Sequence, residues 1–218
     1  MNSANPSTEE LVSEYKKLRP AIRKRLGEFS LLHKAADEKI FAELCYCIFT
    51  ANANALRCDE AVKELVRKDL ILKGNAGEIR PVIKGRVRFH NKKAGYLVGA
   101  RKLFKRGASI DIKCRLKADD LFKVREWLVE SIKGFGYKEA SHFLRNIGLG
   151  RNMAILDRHI LKNLKRYGVI KRIPPSLGSR RVYLEIEDKM KAFSQKTGIP
   201  LEDMDLLFWA LQTGFVFK

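Results

Sequence analysis

The stretch Ile132–Asp157, IKGFGYKEASHFLRNIGLGRNMAILD, decides how the rest of the chain is read. Before it, Leu121, Val124, Leu128 and Ile132 recur at helical spacing, and within it Ala140, Phe143, Leu144 and Ile147 do the same. Between the two apolar faces, Gly134-Phe135-Gly136 leaves room only for a tight turn, because glycine takes positive φ angles that other residues resist. The spacing predicts a helix-hairpin-helix over residues 121–148. Unobstructed N–H groups at Gly134 and Gly136, at the mouth of the second helix, are suited to a phosphate oxygen.

Composition points the same way. Lys and Arg number 44 against 25 Asp and Glu in 218 residues, a formal charge of +19, so the natural partner is a polyanion and nucleic acid leads. Charge alone fits a basic ribosome-associated protein equally well. The length suits one domain or two small helical lobes sharing a cleft. No apolar run approaches the roughly 20 residues that span a bilayer, and the start, MNSANPSTEE, lacks the basic and apolar regions of a signal peptide. A cytoplasmic, nucleoid-associated protein without membrane contact is expected. Cys45, Cys47, Cys58 and Cys114 have no paired spacing and lie among apolar residues, which predicts reduced core thiols.

Along the chain, a frayed start up to residue 7 precedes a helix opening at Ser7 or Thr8, and Pro20 is expected to interrupt that helix. Ile40, Phe41, Leu44, Cys45, Ile48 and Phe49 define a buried helix, which ends at TANANA, where Asn52 and Asn54 suit a turn. Residues 69–87, with three glycines and Pro81, read as an irregular connection. Phe89 then either staples the start of the next helix or stacks on a base. Asp119 or Asp120 caps the helix before the hairpin, and Pro174-Pro175 closes the helix that follows Asp157. The final helix places Leu201, Met204, Phe208 and Leu211 on a core stripe, with Asp205, Trp209 and Gln212 along another face. Trp209 on that face is either a packing residue or a stacking platform.

G-F-G-Y-K at Gly134–Lys138 followed by I-L-D-R-H at Ile155–His159 resembles the helix-hairpin-helix DNA glycosylases. With the tail DLLFWALQTGFVFK, the chain is similar over nearly its whole length to the 8-oxoguanine DNA glycosylase/AP lyase class of archaea and some thermophilic bacteria. The resemblance implies an all-α, two-lobed fold with the active site in the interlobe cleft. Residues 1–32 and 155–218 would form the terminal-helix lobe, and residues 33–154 the central lobe carrying the hairpin. It implies a Schiff base at Lys138, a catalytic carboxylate at Asp157, and a part for the final Lys218 in telling 8-oxoguanine from guanine. The loop holding Asn52 and Asn54 would wedge into the duplex, and Phe89, Asp205 and Trp209 would lie near the extruded base. No catalytic metal and no organic cofactor is implied, only a monovalent cation on the hairpin carbonyls. The partner would be double-stranded DNA containing 8-oxoguanine, bound by a monomer. Relatives acting on oxidised pyrimidines often carry a four-cysteine cluster near the C-terminus; no cysteine follows Cys114 here.

Excision with strand cleavage needs an amine to attack C1′ and a carboxylate to stabilise the oxocarbenium-like sugar and manage protons. Lys138 and Asp157 are the residue types for that pair. Taken singly, each has a plainer explanation. In so basic a chain a lysine is ordinarily a surface charge, and an aspartate before RHILKNL is ordinarily a helix N-cap. A non-catalytic hairpin module that grips the duplex backbone is the rival from another class, and it has no need of either residue.

Overall fold

The computed structural model describes residues 7–117 and 119–218; the start expected to be frayed lies outside them except for Ser7. Helices dominate: α1 (Thr8–Leu32), α2 (Asp37–Thr50), α3 (Ala55–Arg67), α4 (Leu70–Lys73), α5 (Ala76–Ile83), α6 (His90–Phe104), α7 (Lys113–Leu116), α8 (Leu121–Ser131), α9 (Tyr137–Asn146), α10 (Arg158–Arg166), α11 (Arg180–Thr197) and α12 (Leu201–Thr213). A two-residue antiparallel ladder, β1 (Lys105–Arg106) with β2 (Ser109–Ile110), turns the chain after α6.

The helices gather into two lobes with separate apolar cores. One is built on α2, whose Ile40, Phe41, Leu44 and Phe49 are fully buried, and takes in α3, α5, α6, α8 and most of α9. The other joins Leu11 and Ile22 of α1 to Leu164 of α10, Met190 of α11 and Phe208 of α12. The helix α9 serves both. Its Ala140, Phe143 and Leu144 enter the first core, while Tyr137 at its N-terminus enters the second.

Three expectations are corrected. Pro20 does not interrupt α1. The helix forgoes one N–H bond there and is held by packing and by α12, where Asp203 accepts from Tyr15 Oη at 2.7 Å and pairs with Arg23 Nε at 3.0 Å. The 69–87 connection is also more regular than predicted. Asn75 accepts from Gly77 and Glu78 N–H while Glu78 returns a bond to Asn75 N–H at 2.7 Å, a capping box that starts α5 and buries Ile79 and Ile83. Cys45, Cys47 and Cys58 are buried thiols as expected, but Cys114 is exposed.

The seam between the lobes is closed by a buried ion pair. Arg125 of α8 and Glu187 of α11 are each about 1 % exposed and meet through two parallel bonds, Nη1–Oε1 at 2.7 Å and Nη2–Oε2 at 3.0 Å. Arg125 also donates to Ser141 Oγ of α9 at 3.2 Å, and Glu187 Oε1 accepts the Ala154 N–H at 2.7 Å. The hairpin, α11 and the segment leading to Asp157 thus share one knot. Arg125→Met strands a buried carboxylate and is expected to lower the unfolding free energy by about 3–5 kcal/mol in urea denaturation. Arg125→Met with Glu187→Gln should recover part of that loss, since glutamine still accepts from Ala154 without an unpaired charge.

Candidate active site

The hairpin turns as its glycines predict. Gly134 has φ 77°, and the Tyr96 ring lies where a Cβ would sit, so the position requires glycine on two counts. Phe135 is buried and its N–H closes the turn on Ile132 O at 3.2 Å. Gly136, at φ −96°, needs no special freedom. Its N–H, read from the sequence as open to a phosphate, is taken by Glu139 Oε2 at 3.2 Å. The same carboxylate's Oε1 lies 3.8 Å from Lys138 Nζ. Glu139 therefore acts as an internal anion at the mouth of α9, which a DNA phosphate would have to replace or accompany.

Lys138 keeps only 19 % of its side chain exposed. Its charge adds to the lowering of the Lys93 and His142 pKa values. Burial is the larger cause for each. The imidazole of His142 is driven well below its ordinary range. Lys93, on α6, is almost fully buried and donates to Phe49 O at 2.7 Å and Ala51 O at 2.6 Å, the carbonyls that end α2.

Asp157 is the N-cap of α10. Its Oδ1 accepts from His159 N–H at 2.7 Å and Ile160 N–H at 2.8 Å. The cap uses a single oxygen and fixes the carboxylate's direction. The segment before it is held by Tyr183 of α11, which donates to Ala154 O at 2.7 Å and accepts from Leu156 N–H at 3.3 Å. The Tyr183 ring lies 5.3 Å from that of Tyr137. Tyr137, the neighbour of Lys138, therefore packs in the terminal-helix core on the same Tyr183 that holds Leu156, the neighbour of Asp157.

Of the residues expected around a base, Trp209 is half-buried and its ring meets His159 edge-on at 5.3 Å, with the His159 Nδ1 hydrogen-bonded to Gln212 Oε1. Asp205 does not lie on an open face of α12. It is 7 % exposed and paired with Arg145 Nη2 at 3.0 Å, and burial raises its pKa to about 6 against the pull of that arginine. Its carboxylate is committed to the interior because α12 is buried on nearly every face, whereas Leu211, expected in the core, is 39 % exposed. Phe89 is 52 % exposed in the left-handed region at φ 58°, so it does not staple α6; Arg88 lies over its ring at 4.8 Å. Asn52 is exposed at φ 54°, and Asn54 caps α3 by accepting from Arg57 N–H at 3.1 Å, so at least Asn54 does turn chemistry. Lys218 reaches into the central lobe and pairs with Glu43 and Asp59. Those two acids and Lys93 escaped the sequence reading, although Glu43 interrupts an otherwise apolar run from Ile40 to Phe49.

A glycine hairpin with a lysine at the mouth of its second helix and a helix-capping aspartate beyond it, in a two-lobed helical chain, is the architecture of the helix-hairpin-helix glycosylases. A family profile described as 8-oxoguanine DNA glycosylase matches residues 22–199. The chain is 41 % identical over 216 residues to the Fusobacterium nucleatum 8-oxoguanine DNA glycosylase/AP lyase, covering 98 % of this chain and 99 % of that one. It is 42 % identical over 202 residues to the Methanocaldococcus jannaschii protein of the same description, covering 92 % and 93 %. The crystal structure of the M. jannaschii 8-oxoguanine glycosylase/lyase in complex with a 15mer DNA containing 8-oxoguanine superposes with a TM-score of 0.85 at 38 % identity, covering 96 % of this chain and all of that one. The chain belongs to the Ogg-HhH family of 8-oxoguanine DNA glycosylases.

Burial lowers Lys93 from its ordinary 10.5 to about 8. Between those values the unfolded chain holds a proton that the folded chain has released, so this residue's contribution to stability rises with pH across the window and is least favourable below pH 8. The unfolding free energy of the unmodified protein minus that of Lys93→Met should accordingly climb by on the order of 3 kcal/mol over that range, measured by urea denaturation at closely spaced pH values.

Proposed function

We propose that the protein excises 8-oxoguanine from double-stranded DNA and then cleaves the strand 3′ to the resulting abasic site. What supports this reading is a largely buried lysine at the hairpin mouth and an aspartate whose direction is fixed by an N-cap, with the neighbouring Tyr137 packed on the Tyr183 that holds the approach to Asp157. The names of the family and of its near-full-length relatives support the same activity.

In this mechanism the free amine of Lys138 attacks C1′ as the glycosidic bond breaks, and the departing base takes the bonding pair and a proton. Asp157 stabilises the positive charge that builds on the sugar; its uncommitted oxygen is available for that purpose. The sugar ring opens to a protonated imine at Lys138. Loss of a 2′ proton then expels the 3′ phosphate, and water hydrolyses the imine to free the enzyme. The net positive charge of the chain supports a polyanion held chiefly through its phosphates, with affinity falling as salt rises. Phe89 and Asn52 are assigned to the DNA-facing edge, as exposed side chains on strained backbone. Trp209 is assigned to stacking on the extruded base. A monovalent cation on the hairpin carbonyls, where Gly134 reverses the chain, would add charge for a phosphate and take no part in bond breaking. The reading further assigns a monomer acting at the nucleoid; among the described residues no helix is long and apolar enough to cross a membrane.

Borohydride trapping on a duplex with one 8-oxoguanine tests the assignment. A covalent adduct is expected with the unmodified protein and none with Lys138→Gln. Asp157→Asn preserves the cap while removing the charge, so it should fold normally and slow single-turnover excision by about 10²–10⁴-fold. Adduct with a thymine-glycol duplex alone would move the protein to oxidised pyrimidines. Salt-sensitive binding with no adduct on any duplex would leave only a binding module or a hydrolytic glycosylase.

A further inference from the structure

Asn52 at φ 54° and Phe89 at φ 58° hold exposed side chains on left-handed backbone, a conformation that residues other than glycine take at a cost. The first lies in the turn between α2 and α3, the second just before α6. One residue is bonded to both places. Lys93 is 4 % exposed, and its Nζ donates to Phe49 O at 2.7 Å and to Ala51 O at 2.6 Å, the latter being the carbonyl of the peptide that enters Asn52. Its own N–H closes the first turn of α6 on Phe89 O at 3.1 Å. Three residues further on, the Tyr96 ring fills the space over Gly134 of the hairpin, and positions three apart on a helix share a face. The helix α6 is therefore a strut, with the hairpin against Tyr96 and the two turns gathered at its N-terminal end by Lys93. An ammonium is a costly way to fill that place. Burial opposes its charge, and its partners are carbonyls and not carboxylates. Methionine would fill a similar volume without that cost. What the ammonium adds is two directed bonds at the end of α2, where the helix dipole favours a cation.

We propose that Lys93 is a positioning residue for base extrusion: it locks the Asn52 turn to the Phe89 turn, so that the two side chains enter the duplex as one edge in a fixed relation to the hairpin. The inference rests on reading Asn52 and Phe89 as the DNA-facing edge. Extruding a paired base costs unstacking and unpairing, and groups that hold the duplex open must offset that cost. Exposed residues on two independent turns would each yield to the closing stack. Fastened to one lysine they cannot move separately, and the unfavourable backbone at both is held by the same bonds to Phe49, Ala51 and Phe89. The role is separable from bond breaking. Lys93 acts before the sugar reaches Lys138, and an abasic sugar has no base to unstack.

Lys93→Met removes the ammonium and nearly keeps the side-chain length, whereas Lys93→Gln keeps a donor and loses the reach. Single-turnover excision of 8-oxoguanine paired with cytosine is expected to fall about tenfold in Lys93→Met, and by less in Lys93→Gln. The fall should largely vanish when the lesion sits in an unpaired bubble, where extrusion costs little. Borohydride trapping at a preformed abasic site should match that of the unmodified protein. Melting temperatures report whether the variants fold, and Lys93→Gln carries the test alone if Lys93→Met is unstable. An equal fall on all three substrates would show that Lys93 serves the fold or the Lys138 amine, and would overturn the inference. Unchanged excision of the paired lesion would overturn it too. Phe89→Ala and Asn52→Gly separate the inference from the reading beneath it. If they lose excision of the paired lesion while Lys93→Met keeps it, the inference alone fails. If they excise it as fast as the unmodified protein, the DNA-facing edge and the inference fall together.

Discussion

The Arg125–Glu187 pair is the constraint on which the site depends. The proposed reaction asks a sugar to meet the amine of Lys138 and the carboxylate of Asp157, and both must be placed to within a fraction of an ångström. Apolar packing between lobes is non-directional and would not set that relation by itself. A guanidinium bonded through both nitrogens to one carboxylate fixes angle as well as distance. Here the guanidinium also faces the rings of Phe122, Tyr137 and Tyr183, and the carboxylate holds the Ala154 N–H. Burying two charges is expensive, and a hydrophobic pair would often be at least as stable. What the ion pair supplies is register: the hairpin and the approach to Asp157 are located by the same few atoms.

Much of this was legible because it is local. The glycine turn, the apolar faces of α8 and α9, the Asp120 cap and the Asp157 cap are each dictated by residues within a few positions of one another. Gly134 shows a limit even there. Its positive φ followed from the sequence, but the Tyr96 ring that also excludes a side chain comes from another helix. The proposed roles of Lys138 and Asp157 come only from the resemblance, because taken alone the two look like a surface charge and a cap.

What could not be read was set by tertiary packing. The helix α12 looks amphipathic in sequence, and that periodicity assigned Asp205 to a face away from the core stripe and Leu211 to the core. Surrounded by α1, α10 and α11, the helix is buried nearly all round, and its polar residues find partners instead of solvent: Asp203 with Tyr15 and Arg23, Asp205 with Arg145. Pro20 likewise signals a break that packing on α12 overrides. The acids that grip Lys218 lie more than 150 residues before it, and no local pattern joins them to it. Glu43 carried the one available signal, a charge amid an apolar run, which only a distant partner can explain.

The thiols have a chemical consequence of their own. Oxidants that convert guanine to 8-oxoguanine also attack cysteine, and they do so through the thiolate. Cys45, Cys47 and Cys58 are buried, and burial raises each above its ordinary value, Cys58 to about 11, so almost none of their sulfur is ionised at neutral pH. Two of these thiols sit in α2, the central helix of one lobe, where a sulfinic group would place a charge in the apolar core. Only Cys114 presents its sulfur to solvent, on the short helix α7. A repair protein built this way confines oxidative damage to its periphery and keeps its scaffold intact under the conditions that generate its substrate.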